Sequence, residues 1–143
     1  MKGKSLGKPV YVLPLMLFAD DTSGNKSKKW HKFISWYLKF PGLPRKERLK
    51  SDNVHFLCCS DNLSALALAK PMAEELFLLE TQGLEVYDAQ SKQMVLVVAP
   101  LICIVADNPM SSELLNHLRG AANKYCRICE VSVYIAEHAL IST

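Results

Sequence analysis

Three aspartates carry the clearest chemistry in this sequence. Asp20 and Asp21 follow the apolar run Val10–Ala19, and Asp107 follows a second apolar run, Met94–Ala106. Carboxylates at adjacent strand ends suit hard divalent ions, because Mg²⁺ or Mn²⁺ takes oxygen ligands and keeps positions open for phosphate oxygens. Two such ions about 3.5–4 Å apart activate an attacking oxygen and stabilise a leaving one in phosphodiester chemistry. The competing reading is structural, since aspartate commonly caps the turn after a buried strand. Cys126 and Cys129 form a Cys-x-x-Cys pair, half of a tetrahedral Zn²⁺ site whose other ligands come from His138 or His117 or from residues outside this sequence. The plain alternative is two free thiols in a connection.

Charge adds a second kind of chemistry. The chain carries a net charge of only +3, too little to argue for nucleic acid from the total. Between Lys26 and Lys50, however, nine cations (Lys26, Lys28, Lys29, Lys32, Lys39, Arg45, Lys46, Arg48 and Lys50) stand against Glu47 alone. Trp30, Phe33, Trp36, Tyr37 and Phe40 interleave with them, which fits a phosphate-contacting surface. The same stretch also reads as a solvated strand and loop with core aromatics.

These residues need elements to hold them. Val10–Ala19 reads as a buried strand ended by the Asp20–Asn25 turn cluster, and Trp30–Phe40 as a second strand stopped by Pro41-Gly42-Leu43-Pro44. Val54–Cys59 is a third, and the short links favour antiparallel neighbours. The period then changes: Leu63, Leu66, Leu68, Met72, Leu76 and Leu79 predict a helix, capped by Asp61, Asn62 or Ser64, interrupted or split at Pro71, and closed at Gly83. A short strand Leu84–Tyr87, a turn Asp88–Lys92, the doubly buried strand Met94–Ala106 with a bulge or break at Pro100, and a helix capped by Ser111 or Ser112 and closed near Gly120 complete the order. A right-handed crossover through the Leu63–Leu79 helix lays the late strand parallel to the first and brings Asp20 and Asp107 to one sheet edge.

Composition bounds the rest. The chain has 143 residues, 50% of them hydrophobic and 22% charged, which predicts one globular domain, of α/β class by the element order above. Neither apolar run reaches the ~20 residues of a membrane-spanning helix, so no membrane partner is expected, nor any signal peptide. Five cysteines, with Cys58, Cys59 and Cys103 inside apolar runs where thiols are normally buried, predict no disulfide framework and a reducing compartment.

The segments FADDTSGNKSKKW, HFLCCS, GLEVYDAQSKQMVLVVAPLICIVADNP and KYCRICE, in this order and spacing, resemble the transposase of CACTA (En/Spm-type) DNA transposons, particularly its fungal versions. The resemblance runs from about Val10 to Glu130. It implies an RNase H-like mixed sheet (three antiparallel strands, helix, parallel strand, helix) bearing an acidic-triad catalytic site for DNA cleavage and strand transfer in the nucleus. Asp20, with Asp21 its close competitor, matches the first acid and Asp107 the second, both as ligands of Mg²⁺ or Mn²⁺. Cys126 and Cys129 match the start of a zinc-binding insertion at about 124–143, with His138 the candidate further ligand. Lys26, Lys28, Lys29, Lys32, Arg45, Lys46 and Arg48 are expected to contact the DNA of transposon ends. The intact protein is expected to form a homo-oligomer. The family continues past the cysteine pair to a third acid, so the 143 residues are expected to be a truncated, weakly active catalytic domain. The alternative is a non-catalytic DNA- or protein-binding module with a zinc knuckle. Carboxylate repulsion in the metal-free state predicts that Asp107→Ala leaves the melting temperature unchanged or raises it.

Overall fold

The computed structural model describes residues 7–22 and 33–117. The chain divides into two compact units, one reaching Val105 and one starting at Ala106. The class is mixed α/β, with two mixed sheets and three helices among the described residues.

The first apolar run is two strands, β1 (Val10–Val12) and β2 (Leu15–Asp21), parted at Leu13-Pro14. The late run divides in the same way into β6 (Gln93–Val98) and β7 (Leu101–Ala106), parted at Ala99-Pro100. The physical reason is shared: proline brings no N–H to a ladder. β1 pairs in parallel with β6, Val10 opposite Leu96, and β5 (Leu84–Asp88) pairs antiparallel on the other side of β6. Beyond the prolines, β2 and β7 are neighbours in a second sheet, completed by β3 (Ile34–Lys39) and β4 (Val54–Ser60) in the order β4-β3-β2-β7. β2–β3 and β3–β4 are antiparallel, as the short links predict. Between β3 and β4 lie the one-turn helix α1 (Arg45–Arg48) and a 3₁₀ turn at Ser51–Asn53.

Alternation decides which face of β2 is core. Leu15, Leu17 and Ala19 are buried, while Met16, Phe18 and Asp20 on the opposite face are half-buried. On β3 the fully buried Trp36 lies opposite Ala19, and among the described residues its indole N–H has no hydrogen-bond partner. Leaving such a donor unpaired costs about 1–3 kcal/mol, which the large apolar area of the indole offsets.

Helix α2 (Ala65–Thr81) covers the core face of this sheet. Ser64 caps it, its Oγ accepting from the Ala67 N–H at 3.2 Å. Pro71 sits inside without splitting the helix. The side packed towards the sheet carries Ala65, Leu68, Ala69, Met72, Leu76 and Leu79, spaced at three or four residues. Leu63 and Leu66, expected on that side, are instead exposed. Gly83 ends the helix in the left-handed region (φ 74°), donating to the Leu78 carbonyl, and the Ala99 N–H takes the Leu79 carbonyl.

Helix α3 (Asn108–Leu114) is the described secondary structure of the second unit. Asp107 caps it, not Ser111 or Ser112, whose hydroxyls instead donate back to the carbonyls of Ala106 and Asn108. Gly120 lies outside the described residues. No described helix is long and apolar enough to cross a membrane.

Two left-handed residues give opposite expectations. A Cβ on Gly83 would lie 2.9 Å from both the Val97 carbonyl oxygen and a Leu96 methyl, so Gly83→Ala meets both a left-handed penalty and a backbone clash. It is expected to destabilise the protein by more than about 1 kcal/mol. Lys92, in the β5–β6 turn, holds φ 53° with a side chain that dislikes it. Lys92→Gly is expected to be neutral or stabilising by up to about 1 kcal/mol. Urea melts of both variants check the pair; a stable Gly83→Ala would contradict the packing described.

Candidate functional site

Asp20 is the penultimate residue of the central strand β2, half-buried on the face that carries Met16 and Phe18, with Ser35 as its register partner on β3. The strand end beside it is pinned. Thr22 donates its N–H to the Phe33 carbonyl at 2.8 Å, and its hydroxyl lies 2.5 Å from that of Ser35. Asp21, exposed, has alternated to the other side of the strand and lies in register with Ile34. Of the two competing acids, Asp20 is the half-buried one and shares its face with Met16 and Phe18.

Asp107 belongs to the second unit, where it is exposed. One carboxylate oxygen accepts from the Met110 N–H at 2.8 Å, and its carbonyl accepts from the Ser111 N–H. The carboxylate is thus an N-cap, the structural role weighed against metal binding for it. That cap reverses the expectation that removing Asp107 is harmless. Among the described residues no group of three or more His, Cys, Asp or Glu side chains is gathered as a metal site. Cys126, Cys129 and His138 lie outside the described residues, as do Lys26, Lys28, Lys29 and Lys32. His117, the other named zinc ligand, is half-buried after α3.

The remaining cations converge. A cleft of about 380 Å³ is lined by Lys39, Arg45 and Arg48 with Met16, Phe40, Pro41, Leu49 and Asn53. The backbone explains why. Pro41 ends β3, Pro44 opens α1, and one helical turn places Arg45 and Arg48 three residues apart on one side. Lys46 is exposed on α1, away from the cleft lining. Glu47, the one acid of the stretch, holds Lys50 with both oxygens at 2.8 Å, so its charge is spent locally. Among the described residues no carboxylate pairs with Lys39, Arg45 or Arg48.

Beside the cleft runs an aromatic row. Phe18, Tyr37 and Phe56 sit on neighbouring strands, with ring centroids 6.1 Å apart for the first pair and 5.7 Å for the second. A bulge makes the row: Trp36 lies opposite Cys58 but Tyr37 lies opposite Phe56, so Leu57 is the extra residue. Cys58 therefore faces α2, 4.0 Å from the Met72 sulfur, while Phe56 turns to the opposite face beside Tyr37. Sequence reasoning marked Tyr37 and Lys39 only as members of the basic stretch and passed over Phe56, since plain alternation puts Phe56 with Cys58.

The thiols correct a further expectation. Cys59 and Cys103 are exposed and Cys58 is half-buried. β7 lies at the edge of its sheet, so a run that reads as buried on both faces is covered less than β6. Burial, and then the neighbouring Cys59, push the Cys58 thiol above its ordinary range.

No protein-family model matches the chain, and no curated protein or solved structure matches it significantly.

Two measurements probe these assignments. Asp107→Ala is expected to cost about 1 kcal/mol by loss of the cap, whereas Asp107→Asn, which still caps, stays close to wild type. Equal melting temperatures for both variants would remove the cap from the account. In alkylation followed by peptide mapping, Cys58 is expected to react more slowly than Cys59 near pH 8 and to gain rate as the pH rises further, because a raised pKa delays its thiolate. Faster reaction at Cys58 would contradict its burial against Met72.

Proposed function

We propose that this chain is a metal-dependent DNA-processing domain of the RNase H-like transposase type. The observation that carries the reading is the strand order β4-β3-β2-β7, three antiparallel strands with a late strand added beside the first. That is the order the CACTA resemblance implies, and its central strand ends in the acid that the resemblance implies. The donor type suits a hard cation: Asp20 and Asp107 each offer carboxylate oxygens only, and the Asp107 cap occupies one of its two. Mg²⁺ or Mn²⁺ held by such carboxylates would supply activation of the attacking oxygen and stabilisation of the leaving one. The protein's own part is to fix Asp20 through the Thr22–Ser35 contact and to draw the phosphate backbone to Lys39, Arg45 and Arg48, with Lys46 beside them. DNA, as transposon ends in the nucleus, is the proposed partner, and assembly into a homo-oligomer is part of the same proposal. Zn²⁺ enters the proposal only through Cys126, Cys129 and His138.

The second reading, a binding module without catalysis, is favoured by the cap itself, which gives Asp107 a sufficient structural reason to be where it is.

Mn²⁺ at about one hundred times its dissociation constant is expected to raise the melting temperature of the full chain by about 5 °C or more. Asp20→Asn and Asp107→Asn are each expected to abolish that rise while folding normally. A rise that survives both substitutions, or none in the wild type, counts against a metal site and for the binding module.

A further inference from the structure

The cleft and the aromatic row form one surface. Met16 pairs with Lys39 at the cleft, and Phe18 pairs with Tyr37 two residues further along the same face. Val54 and Phe56 extend the two rows onto β4, opposite Lys39 and Tyr37 respectively. Lys39 therefore stands about 7 Å along β3 from Tyr37. The rings present themselves to solvent: Phe56 is 58% exposed, and Tyr37 is half-buried beneath it in an edge-on contact. Apolar π-surface therefore stands in water on the face that carries Lys39, an arrangement that suits a ligand with both a flat apolar part and a negative part.

We propose that this face binds single-stranded nucleic acid, with bases stacking on Phe56 and Tyr37 and phosphates held by Lys39, Arg45 and Arg48. Charge complementarity selects a polyanion. The aromatic row selects among polyanions, because a duplex keeps its base faces inside the stack and offers a protein only edges and backbone, whereas an unpaired strand offers every base face. Glu47 is neutralised by Lys50 and does not oppose the phosphates. The surface lies wholly within the first unit and needs neither Asp107 nor a metal. The proposal shares with the reading above only the premise that the ligand is nucleic acid, and it specifies its strandedness.

The test is fluorescence anisotropy of the full chain with a labelled twelve-nucleotide oligothymidine and with a blunt duplex of the same length, at several salt concentrations. The oligothymidine is expected to bind about tenfold or more tighter than the duplex. Phe56→Ala and Phe56→Leu are each expected to weaken oligothymidine binding about tenfold, with the duplex changed less than about twofold. The leucine variant keeps the apolar bulk, so it reports on the ring even if alanine unsettles β4; melting temperatures identify that case. Arg45→Gln is expected to weaken binding and to lower the slope of log affinity against log salt by about 0.7. Oligothymidine binding is expected to persist in EDTA, with no divalent ion present, so loss of the Mn²⁺ response and loss of strand binding are separable outcomes. Equal affinity for both probes, no effect of Phe56→Leu, or no binding of either probe would overturn the proposal.

Discussion

The pairing of β1 with β6 is the constraint on which the first unit depends. Val10–Val12 lies alongside Leu96–Val98 in parallel, so the start of the chain is held to a segment that follows the whole of β2 to β5. Parallel neighbours need a crossover, and helix α2 lies within this one. The closure is long, and its entropic cost grows only slowly with length, but the contacts that offset it are all non-local. The hydrogen bonds from Leu13 to the Val98 carbonyl and from Leu15 to the Pro100 carbonyl carry the alignment across the two prolines. There both strands leave one sheet and enter the other together. Pro14 and Pro100 are where they can do so cheaply, because neither has an N–H to lose from a ladder.

That transfer is what gives β2 its central place. With β3 on one side and β7 on the other, β2 buries Leu15, Leu17 and Ala19 under α2 and leaves its second face to Met16, Phe18 and Asp20. One strand thus supplies both the core and the face opposite it. The acid stands at its far end, the aromatic row crosses its middle, and the cationic cleft opens at its near end. The fully buried Trp36 packs on the core side of the same sheet.

Much of this was legible in the sequence. The 3.6 periodicity from Leu68 to Leu79 with Ser64 before it marks α2, and the turn residues around Asp88 mark the β5–β6 hairpin, where that carboxylate, held below its usual range by the Ser91 hydroxyl and the Gln90 N–H, secures the loop. Three features were not legible, each because a non-local or one-residue effect decides it. The bulge at Leu57 moves Phe56 to the face of Tyr37, which no alternation rule foresees. Edge position exposes Cys103 and Ile104 in a run that looks like an interior strand. Asp107 reaches the first turn of α3 ahead of Ser111 and Ser112, which sit too far into the helix to cap it.

The proposed metal chemistry depends first on Asp20, at the end of β2, holding a divalent cation. Fe²⁺ substituted for Mg²⁺ and treated with ascorbate and peroxide generates hydroxyl radicals that cut the backbone close to a bound ion, so mass spectrometry of the fragments maps the segments lining it. The proposal predicts cuts near Asp20, suppressed by excess Mg²⁺ and lost in Asp20→Asn. Absence of cuts near Asp20, or cuts unaffected by Asp20→Asn, would contradict it.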